Sequence, residues 1–182
     1  QTSEIAAAAA EAGALVIMVG PDDFTRVEIP GTHDGGIDAW EVCNEVLRAD
    51  VLISVPCAKH HGTAMLTMGL KNVFGMVGGN RGRLHQGIHR NIARLNLLAR
   101  ADLTVLDAFR RLVRNGPTGG RLEDVDNSFE TARQVIACTD PVAADAWGAG
   151  LFGIEPGLVG YIREAEHAGL GRADFSSRIV HV

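Results

Sequence analysis

Apolar and polar positions along the chain change period several times, and each change predicts an element. Residues 4–13 are Ala-rich and close on a glycine, which predicts a helix, and residues 14–19 are an unbroken apolar run, which predicts a short buried strand. Residues 25–29 alternate polar with apolar, as a strand with one wet face near a sheet edge does. After the turn-forming stretch 30–36, residues 40–48 predict a short helix that delivers the chain to residues 51–55, an almost wholly apolar strand of the kind covered on both faces. Pro56 ends that strand and opens a loop over residues 57–62. Residues 63–77 are apolar nearly all round, with Lys71 and Asn72 the main interruptions, and predict a deeply buried helix.

Residues 78–83 then read as a flexible basic loop, and Ile88, Ile92, Leu95 and Ala99 recur at helical spacing, leaving Arg90 and Arg94 off the apolar stripe. Residues 103–106 predict a buried strand followed by a long glycine-containing loop from Asp107 to residue 120. Residues 134–138 predict the next strand, Thr139, Asp140 and Pro141 a helix start, and residues 157–168 a further helix, with a small final strand at 179–182.

Helices alternating with apolar strands predict an α/β fold, a mainly parallel sheet with helices on both faces. The chain's 182 residues suffice for one core, so residues 1–182 read as a single domain. It opens on a helix with no strand ahead of it, which reads as a fragment of a slightly longer protein lacking its N-terminal strand. Ligands of such sheets bind beyond the carboxyl ends of the strands. Three polar segments follow strands here, 57–61, 107–120 and 139–145, and right-handed crossovers would place all three on one edge.

Charge sharpens that picture. Residues 51–101 contain no Asp or Glu, although the chain's 22 acidic residues would place about six there at random. The same stretch holds Lys59, Lys71, Arg81, Arg83, Arg90, Arg94 and Arg100, with His60, His61, His85 and His89 among them, in a chain of net charge -5. Segregation of this kind suggests a local face or pocket for an anion. Lysine is rare, two against fifteen arginines, and both lysines lie in the acid-free stretch.

The chemistry of these groups supports a specific assignment. Lys59 and Lys71 would neutralise an anionic small molecule, His60 or His61 would transfer a proton, and Asp107 would orient a base. Arg81, Arg83 and Arg114 would clamp the ligand, with Asn72, His85, Asn115 and Asp140 as further ligand-binding groups. Each has a plainer alternative: loop histidines that cap carbonyls, an internal ion pair of Lys71 with Asp107, Asp140 or Asp145, and Asp140 as a helix cap. A third reading builds a metal site from Cys57, His60 and His61. His85 and His89 have the i, i+4 spacing of some zinc ligands, but Gly87 separates them and no Glu follows His85.

In their order along the chain, several segments resemble the family catalogued as domain of unknown function 362. They include Pro56 followed by Lys59-His60-His61-Gly62, Gly69-Leu70-Lys71-Asn72-Val73-Phe74-Gly75, Asn80-Arg81-Gly82-Arg83-Leu84-His85-Gln86, Arg114-Asn115-Gly116-Pro117 and Thr139-Asp140-Pro141. The resemblance implies an α/β fold, a bacterial or archaeal source and frequent association with iron-sulfur segments. This chain departs from the last pattern. Its three cysteines, Cys43, Cys57 and Cys138, form no CxxC pair, so no iron-sulfur cluster is expected within it. The resemblance leaves an iron-sulfur protein as a partner, docked electrostatically by a non-catalytic accessory or electron-transfer chain.

Other classes are excluded by composition. Aromatics are 5% of residues and the net charge is negative, which argues against nucleic-acid binding. No apolar run reaches the roughly 18 residues of a membrane span. No GxSxG or P-loop pattern occurs, and no motif names a reaction. Free thiols point to the cytoplasm, with export of the full-length protein left open.

Overall fold

A computed structural model of the chain describes residues 4–31, 36–126 and 133–176. The Ala-rich start forms helix α1 (Ile5–Glu11), which buries none of its residues. The strand expected at 14–19 does not form: Leu15 is 85% and Met18 87% exposed, and no described strand pairs with them. Strand β1 (Phe24–Glu28) pairs antiparallel with β2 (Ala39–Cys43) in a separate two-stranded sheet. The helix expected over 40–48 is therefore half strand, and only α2 (Asn44–Arg48) is helical. The reason is packing: Trp40 and Val42 alternate onto a small core with Val73, Val77, Leu84 and Leu95.

The main sheet is organised around β6 (Leu103–Leu112). Thr104 is registered with both Ser54 and Cys138, and Asp107 with both Cys57 and Val135. Hence β3 (Ile53–Ser54) and β4 (Cys57–His61) follow one another along one side of β6, both parallel to it. Along its other side run β7 (Val125–Asp126) and β8 (Gln134–Cys138), both antiparallel. Strand β5 (Met65–Thr67) folds back antiparallel on β4. The fold is α/β, with parallel pairing at the heart of the sheet.

Helices α3 (Ile88–Leu98), α4 (Pro141–Leu151) and α5 (Gly160–His167) supply the main core, in which Ala58, Leu66, Leu106 and Ala108 of the sheet meet Ile92, Val142, Ala146 and Ile162. Among the described residues this covers one face. On the other, Val51, Ile53, Val55, Phe109 and Val135 are all more than half exposed, so the run at 51–55 is not the doubly covered strand its composition predicts.

Three further expectations change. The loop at 57–62 is strand β4, held between β5 and β6. The buried helix at 63–77 is instead β5 followed by a 3₁₀ turn, Leu70–Gly75; it reads apolar because the outward position of β5, Met65, is apolar, while Leu66, Leu70 and Val73 are buried. The basic loop closes into a second 3₁₀ turn, Arg81–His85, and Arg94 on α3 is buried, donating from Nη1 to the Ile37 carbonyl at 2.9 Å. Helix α4 begins as expected, its Asp140 accepting from the amides of Val142 (2.9 Å) and Ala143 (3.0 Å). The strand expected at 179–182 lies outside the described residues.

Strand direction decides which loops meet. Strands β4 and β6 are parallel, so the segments after them share one edge. Strand β8 is antiparallel, which puts Thr139 and Asp140 beside the start of β6, at the opposite end. Two of the three polar segments converge, not three.

Candidate functional site

Lys59 stands on β4, registered with Thr67 of β5 and Leu112 of β6. Lys71 stands on the 3₁₀ turn that follows β5, and the chain fixes that turn from three directions. The carboxylate of Asp145, fully buried on α4, accepts from the amides of Gly69 (2.7 Å) and Leu70 (3.1 Å). Asn72 donates from Nδ2 to Ser54 Oγ at 2.9 Å, and Asn96 of α3 donates to the Leu70 carbonyl at 2.8 Å. Gly69 is required at this junction, because a Cβ there would lie 2.8 Å from Asp145 Oδ1 and 2.9 Å from Thr104 Cγ2. A backbone anchored in this way holds Lys71 in place without help from its own side chain.

That side chain is 9% exposed, with Nζ 4.6 Å from the centroid of the Phe74 ring. The internal ion pair considered from sequence is absent. Asp145 is occupied by backbone amides, Asp140 caps α4 and accepts from Arg172 N, and Asp107 accepts from Phe109 N at 2.8 Å. Among the described residues no carboxylate lies within ion-pair distance of Lys59, Lys71 or Arg81.

These three cations line one pocket of about 240 Å³, together with Asn72, Cys57, Thr67, Phe74 and Pro117; no described acidic residue lines it. A larger hollow of about 860 Å³ beside β1 and β2 mixes Arg26 with Glu28 and Asp38, so it concentrates no charge of one sign. In the smaller pocket, burial first and Lys59 second pull the Lys71 amine below its ordinary 10.5. At the rim, burial and Asp107 push the Cys57 thiol up, and Cys57 Sγ lies 3.8 Å from Asp107 Oδ2.

His61 abuts this cluster. Its ring stacks on His85 at 6.0 Å, and His85 meets Phe74 edge-on at 5.8 Å. Burial, then the Lys71 charge, pulls His61 down to about 4. Its Nδ1 accepts from the amides of Thr63 and Ala64, both at 3.2 Å, so the ring works as a neutral cap for the turn between β4 and β5.

A pH experiment separates this group from Asp145. Because the fold favours neutral His61, its contribution to stability is fully present above 6.5 and is lost as pH falls through that value toward about 4. Asp145 acts in the opposite sense. Burial pushes it up to about 7, so the stability linked to its proton is present below 3.8 and lost as pH rises through about 7. The two slopes oppose one another in the wild type. His61→Asn keeps an acceptor for the turn but does not titrate, and its stability is expected to fall as pH rises from about 4 to about 7. Denaturant melts across that range check this; a variant profile matching the wild type would contradict it.

The other sequence candidates lie elsewhere. His60 accepts at Nδ1 from the Gly116 amide (3.2 Å) and lines a separate hollow with Arg111 and Phe152, because adjacent strand residues face opposite sides. Arg114 pairs with Asp124, and Asn115 donates to the same carboxylate at 3.1 Å. Arg83 is exposed on its turn and is not among the pocket residues. His89 stacks on Tyr161 rather than beside His85, and among the described residues no group of three His, Cys, Asp or Glu side chains gathers as a metal site. Of the sequence candidates, one pocket thus gathers Lys59, Lys71, Asn72 and Arg81, with His61 and His85 alongside. Sequence reasoning missed Thr67, Phe74 and Pro117 of the lining and the anchoring role of Asp145.

Gly116 closes the loop after β6 onto β4. A Cβ there would lie 2.2 Å from the His60 carbonyl oxygen. Gly116→Ala is expected to cost about 1–3 kcal/mol by overpacking, measured by urea denaturation, and a variant as stable as the wild type would contradict the close approach.

No helix among the described residues is long and apolar enough to cross a membrane. Among curated proteins, the chain is 27% identical over 160 residues to the thylakoid-associated protein sll1697 of Synechocystis sp., an alignment covering 81% of this chain and 48% of that relative. The chain therefore spans about half the length of the curated relative it matches. No solved structure matches it. The family model described as domain of unknown function (DUF362) matches residues 1–150, and the chain belongs to that family, as its ordered motifs implied.

Proposed function

We propose that this DUF362 domain binds a small organic anion in the pocket of Lys59, Lys71 and Arg81. The observation that carries the reading is Lys71: a side chain nine-tenths buried, beside a second lysine, with no acidic partner among the described residues. Burying a charge without a partner is costly, and a bound anion would offset that cost. Drug-sized ligands occupy pockets of roughly 300–1,000 Å³, so the volume here suits a smaller molecule with one or two carboxylate, sulfate or phosphate groups. Asn72 adds a neutral polar group to the lining, and Phe74 and Pro117 supply apolar walls.

Calorimetric titration with sulfate and with malonate tests the reading. Binding is expected to weaken with added salt and to fall by about tenfold or more in Lys59→Met, since one charge-assisted contact is worth about 1.5–3 kcal/mol. Equal binding by wild type and variant would overturn it.

A further inference from the structure

We propose that Lys71 is a nucleophile that forms an imine with a small oxo acid, whose carboxylate Lys59 and Arg81 hold. This rests on the anion-binding reading and adds a substrate class to it. The choice of residue is the first argument. The chain uses fifteen arginines and two lysines, and both lysines line this one pocket. For holding an anion, a guanidinium serves as well or better, with bidentate geometry and a permanent charge. What an ammonium offers in addition is the ability to give up its proton and attack.

The surroundings of Lys71 favour that second ability. Its Nζ faces an aromatic ring rather than an acid, the side chain is nine-tenths buried, and a second cation stands in the same pocket. A desolvated lysine beside another cationic group is a recognised way of making an amine nucleophilic near neutral pH. Burial and Lys59 both lower the Lys71 value here, in keeping with that geometry.

The step balances without a redox partner. The Nζ lone pair attacks the carbonyl carbon and forms the C–N bond, while the C=O π pair moves to oxygen, which takes a proton from water. The nitrogen, cationic after attack, gives a proton to the hydroxide that this leaves; the carbinolamine oxygen then takes a further proton and leaves as water as the nitrogen pair forms C=N. In total, free amine, carbonyl and one proton give an iminium and one water. The acid's carboxylate lies against Lys59 and Arg81, and its charge offsets that of the protonated imine. The iminium draws electrons from the adjacent carbon, which suits the site to cleaving or forming a bond there.

Reductive trapping tests this on the folded wild-type chain. Glyoxylate and pyruvate are each incubated with the protein and sodium cyanoborohydride, and the labelled residue is located by peptide mass spectrometry. The expected result is a reduced adduct on Lys71 in preference to Lys59. Lys71→Arg is expected to lose that adduct. Absence of an adduct on Lys71 with both acids, or equal labelling of Lys59, overturns the inference. If wild-type sulfate binding persists in that case, the anion-binding reading stands and the imine alone fails; if sulfate binding is absent too, both fail.

Discussion

Replacing Asp145 with alanine is expected to lower stability by about 3 kcal/mol, because it strands two buried backbone amides, those of Gly69 and Leu70. In a domain of this size that corresponds to a fall in Tm of roughly 6–12 °C. Asp145→Asn is expected to rescue little of it. Above about pH 7, where Asp145 is ionised, its carboxylate presents one oxygen to each amide, whereas the amide side chain would turn its own NH₂ toward one of the two donors. The loss reaches the pocket as well, since the turn held by Asp145 carries Lys71 and Asn72. Weaker sulfate binding at temperatures where Asp145→Ala is still folded would show that the carboxylate positions the turn. Unchanged stability would mean that those amides find other acceptors, and the anchoring account would fail.

Lys71→Met is expected to separate stability from binding. Methionine matches the length and apolar stem of lysine and removes a buried charge with no acidic partner among the described residues, so the ligand-free protein should gain roughly 1 kcal/mol. Sulfate binding should be lost in the same variant. The pH dependence gives the sign. A lysine whose value is lowered in the fold imposes a cost that is fully present below the folded value and relieved as pH rises toward the unfolded value of 10.5. The wild type should therefore approach Lys71→Met in stability as the solution is made alkaline. A variant less stable than the wild type across the whole range would show that the lysine has a stabilising partner in the apo protein.

These expectations also mark what the sequence could and could not reveal. Lys59, Lys71 and Arg81 were legible as cations of a stretch without acids, but the same stretch holds Arg94, His60 and His89, which the fold places elsewhere, so charge segregation alone does not assemble a pocket. Helix α3 and the start of α4 were legible because a 3.6-residue stripe and an Asp-Pro cap are local signals. Residues 63–77 were misread for a physical reason: Met65, the outward position of β5, is itself apolar, so the strand's alternation between exposed and buried positions leaves no polar mark in the sequence.

Strand β8 was found but its direction was not, since antiparallel pairing with β6 is decided by a long connection and carries no mark within residues 134–138. That one reversal removes Asp140 from the site. The anchoring role of Asp145 escaped notice because its partners are 75 and 76 positions away and are backbone amides, which every residue type but proline offers. The grouping of Lys59 with His60 failed on strand geometry, once residues 57–61 proved to be β4 and not a loop.

Diffraction from crystals soaked in selenate offers the most direct test, since the selenium anomalous signal locates the anion without interpretation of its shape. The account predicts a peak within hydrogen-bonding reach of Lys59 and Lys71, displaced by malonate and missing in Lys71→Met. A pocket with no peak, while selenate binds at surface arginines elsewhere, would contradict it.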